Sequence, residues 1–211
     1  MTRRLVLWRH GRTAWNAQGR TQGQSDVDLD TTGRKQAADS AARLAALAPT
    51  GLVSSDLRRA ADTAATLAAL TGLQPTYDPR LREVHFGMRE GMTPADAEQR
   101  WPDLMARRAA GEDVRFPGGE TYAEAAERFA TALRDVVGST RPGDTVVVVA
   151  HGSAMRVGSC RFLGLPEEHW GRLGAFSNCC WAVLTEARTG WRIEQWNAGS
   201  LPEPVVGDDD Q

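Results

Sequence analysis

Two histidines in this 211-residue chain stand in matching places. His10 follows the run Leu5-Val6-Leu7-Trp8-Arg9, His151 follows Thr145-Val146-Val147-Val148-Val149-Ala150, and a glycine comes after each. An imidazole that is neutral near pH 7 carries a lone pair able to attack phosphorus. Phosphoryl transfer further requires cations around the phosphoryl oxygens and an acid for the leaving oxygen. Arg9 adjoins His10, and residues 1–20 contain Arg3, Arg4, Arg9, Arg12 and Arg20 without a single acid. Such a cluster is either a solvated basic edge or an anion pocket, and composition does not choose between them. One histidine at a strand end is as readily structural as catalytic. Two in matched positions, one of them beside an arginine, favour a phosphoryl site. Gly11 and Gly152 would allow a ligand to approach the backbone closely.

The elements that must position these groups follow from the pattern of apolar residues. The short runs at 4–8 and 51–54 read as strands, and the β-branched run 145–150 reads as a central strand covered on both faces. Residues 32–47 form an Ala-rich helix capped by Thr31 or Thr32, and Ser55 is expected to cap a helix that ends near Leu70 before Gly72. Thr93-Pro94 opens another helix, and Thr121-x-x-Glu124 is a capping box for one reaching about Val137. A further helix is expected after His151-Gly152, and residues 179–186 and 191–197 read as a hairpin turning at Thr189-Gly190. Alternating strands and helices predict a three-layer α/β/α sandwich around a mostly parallel sheet. In such sheets ligands bind beyond the carboxyl ends of the strands, where both histidines fall.

The length suits one domain, taken as residues 1–204, with an acidic, disordered tail over 205–211. A net charge of −2 argues against nucleic acid as a partner. No apolar stretch is long enough for a membrane helix, and Arg9 interrupts the N-terminal run too early for a signal peptide. Cys160, Cys179 and Cys180 are odd in number and form no CxxC, so reduced thiols and a cytoplasmic location are expected. GxxxxGK[ST], HExxH and GxGxxG sequences do not occur, and neither a metal nor a cofactor is expected.

The stretch Leu7-Trp8-Arg9-His10-Gly11-Arg12-Thr13-Ala14-Trp15-Asn16 resembles the signature of the histidine phosphatase superfamily, which includes cofactor-dependent phosphoglycerate mutases. Four more blocks follow in that family's order: Thr21-Gln22-Gly23, Ser54 through Ala60, Leu81 through Gly87, and Ala150-His151-Gly152. The resemblance implies that His10 becomes phosphohistidine and that His151 stabilises the transferring group. It further implies that Arg9 and Arg59 clamp the phosphoryl oxygens, a task suited to forked guanidinium groups. Arg58 and Arg59 are neighbours on a helix and cannot both face one site; the family pattern selects the one before Ala60. By the same resemblance Asn16 donates to the phosphate and Glu83 protonates the leaving oxygen, although an isolated glutamate would otherwise read as a solvated acid. The resemblance further implies that Thr13, Gln22, Gly23, His85 and Gly152 border the phosphate or the substrate, with a simple turn the other reading for Gly23 and structural support an equal reading for His85.

Mutases of this family carry a long basic insertion after the acid-bearing block. Here Glu83 is followed by a short, divergent loop from Met88 to Arg115 and then by Phe116-Pro117-Gly118-Gly119-Glu120-Thr121, resembling the phosphatase branch. The resemblance therefore implies hydrolysis of a small phosphorylated metabolite, such as a sugar phosphate or a phosphoglycerate derivative. Mutase activity, or a binding protein that retains the fold with weak catalysis, are the alternatives. The loop after Arg156 is expected to share in substrate selection, and a homodimer is compatible with the sequence.

Overall fold

A computed structural model describes residues 2–199. The domain boundary at 204 and the tail over 205–211 lie outside the described residues. Six strands, β1 (Arg4–Arg9), β2 (Gly51–Ser54), β3 (Thr76–Tyr77), β4 (Thr145–Ala150), β5 (Trp181–Ala187) and β6 (Gly190–Ala198), form one sheet in the order β3-β2-β4-β1-β5-β6. Strands β3, β2, β4 and β1 are mutually parallel, and β5 and β6 add the expected antiparallel hairpin at one edge.

Strand β4 explains the layering. All six of its residues are buried, because alternate side chains point to opposite faces and each face carries helices. Val146 and Val148 pack with Leu5 and Leu7 against Phe129, Leu133 and Met155. Val147 and Val149 pack with Val6 and Trp8 against Ala37, Leu44, Ala60 and Leu67. The helices supplying those residues are α2 (Thr31–Ala45) and α3 (Arg58–Thr71) on one face, α6 (Tyr122–Gly138) and α7 (Gly152–Phe162) on the other. Short helices α1 (Ala14–Ala17), α4 (Pro94–Arg100) and α5 (Pro102–Ala109) complete the α-helices among the described residues, with 3₁₀ turns at Pro79–Leu81, Gly87–Arg89 and Glu167–Arg172.

Several local expectations need correction. The α2 cap is Asp30, whose carboxylate accepts from the Gly33 N–H (2.7 Å), and neither threonine serves. Helix α3 starts after Leu57 with no side-chain cap; Ser55 is engaged elsewhere. The stretch from Met88 to Arg115 holds not only the expected helix from Thr93-Pro94, which is α4, but also α5, so it is largely helical where a loop was expected. The segment after Arg156 is likewise ordered, since α7 runs to Phe162 and a 3₁₀ turn spans Glu167–Arg172. His169 lies half-buried in that turn. The small strand β3 escaped notice because two exposed residues carry no periodicity.

Candidate active site

Register brings the key residues together. In the parallel pair β1/β4, Arg9 lies opposite Ala150, so His10 and His151 leave the sheet side by side. The His10 N–H donates to the Ala150 carbonyl (3.1 Å), and the two imidazole centroids stand 5.1 Å apart. Strand β2 ends level with them, placing Ser55 beside β4 through its N–H bond to the Val149 carbonyl (2.9 Å).

Hydrogen bonds set the two imidazole tautomers. Nδ1 of His10 lies 2.7 Å from the Gly11 carbonyl oxygen, which only accepts, so Nδ1 carries the proton and Nε2 keeps a lone pair. On His151 the order is reversed. Arg59 Nε donates to His151 Nδ1 (3.2 Å), leaving Nε2–H to donate to Ser55 Oγ (2.8 Å). Burial, then the fields of Arg59 and Arg9, push the His10 pKa well below its ordinary 6.5. Burial and Arg59 lower His151 in the same direction. Both rings are thus neutral at pH 7.

The positive charges are built into the framework. Arg59, fully buried in the first turn of α3, donates to the carbonyls of Ser25 and Gly23, each at 2.7 Å. Burial brings its pKa down to about 10, with Glu83, Asp26 and Glu90 acting against that shift. Arg9 is buried too and donates to the Phe176 carbonyl. Arg58 points the other way and pairs with Asp26 (3.1 Å) and Asp28 (3.4 Å) at the exposed surface.

Glu83 is buried at the start of α7. His151 caps that helix without a side-chain bond, and the Glu83 carboxylate takes over. It accepts from the N–H groups of Ala154 (2.8 Å), Ser153 (3.2 Å) and its neighbour Val84 (2.9 Å), satisfying donors that a helix start leaves free. Arg128 holds the main chain here, donating to the carbonyls of Arg80, Arg82 and Glu83, and is itself paired with Glu120 (2.5 Å). Glu120 thereby braces the segment carrying Glu83, while Thr121 and Glu124 form the α6 capping box.

The remaining expected residues divide. Asn16 Oδ1 closes the α1 capping box with Thr13, which leaves its amide nitrogen as the end able to donate. Thr13 is fully buried with its hydroxyl against Asn16 and Gln22 Oε1 (3.0 Å), a supporting position. The Gly23 carbonyl receives Arg59, and Gly152 opens α7 directly after His151. His85 is the outlier: its side chain is 43% exposed and lies 3.7 Å from Glu90. Gly11 needs its missing side chain for packing, since a Cβ there would meet the Gly33 carbonyl oxygen at 2.4 Å. The sequence reading missed Ser55 on His151 and Asn178, whose amide donates to the His10 carbonyl (3.1 Å).

A cavity of about 330 Å³ is lined by Arg108, Tyr122, Arg156 and Trp170 among others, and it contains none of the clustered residues. A larger groove, about 820 Å³, runs between α2 and the β5–β6 hairpin, and none of the clustered residues line it. Among the described residues no group of three or more metal-ligating side chains gathers, and no helix is long and apolar enough to cross a membrane.

Comparison with known proteins places this geometry in context. A model of the histidine phosphatase superfamily (branch 1) matches residues 5–199. Glucosyl-3-phosphoglycerate phosphatase of Mycolicibacterium vanbaalenii is 39% identical, across 94% of this chain and 96% of that protein. The probable phosphoglycerate mutase GpmB of Cronobacter sakazakii is 35% identical, across 91% of this chain and 89% of that protein. The solved structure of a mycobacterial glucosyl-3-phosphoglycerate phosphatase in complex with VO3 superposes with a TM-score of 0.87 at 40% identity, covering 93% of this chain and all of that one.

Proposed function

The chain belongs to the histidine phosphatase superfamily, and from that premise we propose that it hydrolyses small phosphorylated sugars or phosphoglycerate derivatives through a phosphohistidine on His10. One observation carries the assignment: the His10 ring is buried and neutral, with Nδ1–H fixed on the Gly11 carbonyl and Nε2 left as a nucleophile among Arg9, Arg59 and His151. Nε2 attacks phosphorus, the N–P bond forms, and the bond to the leaving oxygen breaks as Glu83 protonates that oxygen. Water then attacks phosphorus with Glu83 taking its proton, the N–P bond breaks and inorganic phosphate departs. Arg9 and Arg59 balance the charge on the equatorial oxygens, with Asn16 donating a further hydrogen bond.

A carboxyl that carries a proton accepts fewer hydrogen bonds than a carboxylate. Of the carboxylate's about four lone-pair sites, protonation takes one, and the others suffice for the N–H groups of Val84, Ser153 and Ala154 while Glu83 donates to the leaving group.

The substrate class rests on likeness and on space. Gln22-Gly23-Gln24, Val53 through Ala60, Thr71-Gly72-Leu73 and Trp191 through Ser200 resemble glucosyl-3-phosphoglycerate phosphatase in particular. Arg156 lies four residues after Gly152, about 6 Å along α7, so the cavity it lines with Arg108, Tyr122 and Trp170 is within reach of the organic part of a substrate. The cysteines are buried and form no disulfide, which supports a reducing, cytoplasmic setting.

The test is rapid quenching during turnover of glucosyl-3-phosphoglycerate, sugar phosphates and p-nitrophenyl phosphate. An acid-labile, base-stable phosphoenzyme is expected in the parent protein and absent in His10→Ala. Residual turnover in that variant within tenfold of the parent, about 1.4 kcal/mol in barrier, overturns the assignment.

A further inference from the structure

Arg59 owes its place to main-chain carbonyls of a loop, and a loop is a poor anchor unless something fastens it. The loop spans Gly23, Gln24 and Ser25, and its carbonyls at 23 and 25 receive the two terminal nitrogens of the guanidinium. Glu90, at the end of the 3₁₀ turn Gly87–Arg89, reaches across to it. One carboxylate oxygen accepts from the Gln24 N–H (3.0 Å) and from the Phe86 N–H (3.2 Å), and the other accepts from Ser25 Oγ (2.6 Å). Its side chain is only 13% exposed.

Gly23 fits this contact. It adopts φ +53°, and a Cβ there would stand 2.1 Å from Glu90 Oε1. The glycine thus permits the carboxylate to sit directly under the turn that presents its carbonyl to Arg59. The donors are two backbone amides and a hydroxyl; His85 is the charged-when-protonated neighbour, at 3.7 Å.

We propose that Glu90 is a positioning residue for Arg59: it ties the 23–25 loop to the 86–90 segment, so that the loop carbonyls hold the guanidinium at the phosphoryl site. Glu90 itself touches neither substrate nor phosphate. Removing its carboxylate strands the Gln24 and Phe86 amides and releases Ser25, and the carbonyl pair loses its fixed spacing. A displacement of about 1 Å in a positioned catalytic group is enough to cost about 10²-fold in rate.

This inference rests on the phosphatase reading above, and the experiment separates the two. Glu90→Gln and Glu90→Ala are made in the parent and in Arg59→Ala. Each protein is assayed for kcat/KM on p-nitrophenyl phosphate and, by calorimetry, for the affinity of inorganic phosphate. Glu90→Ala in the parent background is expected to lower kcat/KM by about 10²-fold and to weaken phosphate binding. Glu90→Gln, isosteric and still able to accept one loop N–H, should recover part of both. In the Arg59→Ala background the same changes should cost no more than about twofold, because groups acting through one another are non-additive.

An unreduced cost of Glu90→Ala or Glu90→Gln in the Arg59→Ala background shows general loop destabilisation and overturns the proposal. So does Glu90→Ala activity equal to the parent. Should Glu90→Ala fail to fold, as judged by its thermal melt, the Glu90→Gln cycle decides in the same way. Absence of turnover in the parent would instead refute the phosphatase reading, and the phosphate-binding cycle would still decide the role of Glu90.

Discussion

Replacing Glu83 by glutamine separates its bonds to the start of α7 from the proton-donor role proposed for it. The side chain is buried, and its oxygens accept from Val84, Ser153 and Ala154. Two of those bonds share one oxygen, so the glutamine carbonyl can keep the pair from Val84 and Ala154. Its NH₂ must then face the Ser153 N–H, donor against donor. An unsatisfied buried donor costs about 1–3 kcal/mol, and losing a negative charge at a helix N-terminus costs about 0.3–1 kcal/mol more. For a chain of this length each kcal/mol lowers Tm by about 2–4 °C, so a fall of roughly 3–16 °C is expected in a thermal melt.

Catalysis should respond according to the leaving group. A sugar or glycerate alkoxide is strongly basic and needs its proton as the P–O bond breaks, whereas nitrophenolate departs without one. General acid catalysis contributes about 10²–10⁴-fold. Single-turnover phosphorylation of His10 should therefore slow by that factor for the alkyl phosphates and by much less for p-nitrophenyl phosphate. Single turnovers are needed because the proposed mechanism also uses Glu83 in the later attack by water. Equal losses for the two leaving groups would refute the proton-donor role, and an unchanged Tm would refute the cap.

Other expectations follow from the same geometry. Dialysis against EDTA should leave phosphatase activity unchanged, since the proposed mechanism draws its positive charge from Arg9 and Arg59; a loss restored by a divalent cation would reject this. Phosphate release from 3-phosphoglycerate should outpace its conversion to 2-phosphoglycerate, and the opposite ranking would favour the mutase reading. Folding pulls the pKa values of His10 and His151 below about 6.5, so the unfolded chain binds more protons below that pH. Their contribution to stability is complete above about pH 6.5 and declines as pH falls toward the folded-state values. The decline should approach about 1.4 kcal/mol per pH unit for each ring. Urea titrations at pH 7.5 and 5.5 should show it, and His10→Gln should flatten the slope; a parent protein equally stable at both pH values contradicts the neutral, buried rings.

Most of the layered architecture is legible from local chemistry. The unbroken β-branched run of β4 can only be a strand covered on both faces, and the Thr121–Glu124 box announces α6. The positions of His10 and His151 at strand ends are equally local facts. Caps were harder to assign, because Asp30, Thr31 and Thr32 offer equivalent oxygens and only the backbone path decides which one accepts. Segments 88–115 and 157–178 lack a strong period, so beyond the Thr93-Pro94 start of α4, α5 and the 3₁₀ turn emerged only through packing, as in Trp101 against Phe116 (centroids 5.8 Å).

The sequence by itself determined the chemical groups, their order and the strand ends that carry them, because residue type and apolar spacing are properties of short stretches. The tertiary structure alone decided how they meet. Parallel register set Arg9 against Ala150 and so His10 beside His151, burial made both rings neutral, and Ser55 was drawn from a helix cap to an imidazole. Glu83 on the start of α7 and Glu90 under the loop that holds Arg59 are contacts between segments distant in the chain. Such pairings carry no local signature, for they arise only when separate elements close on one core and leave buried donors to be satisfied.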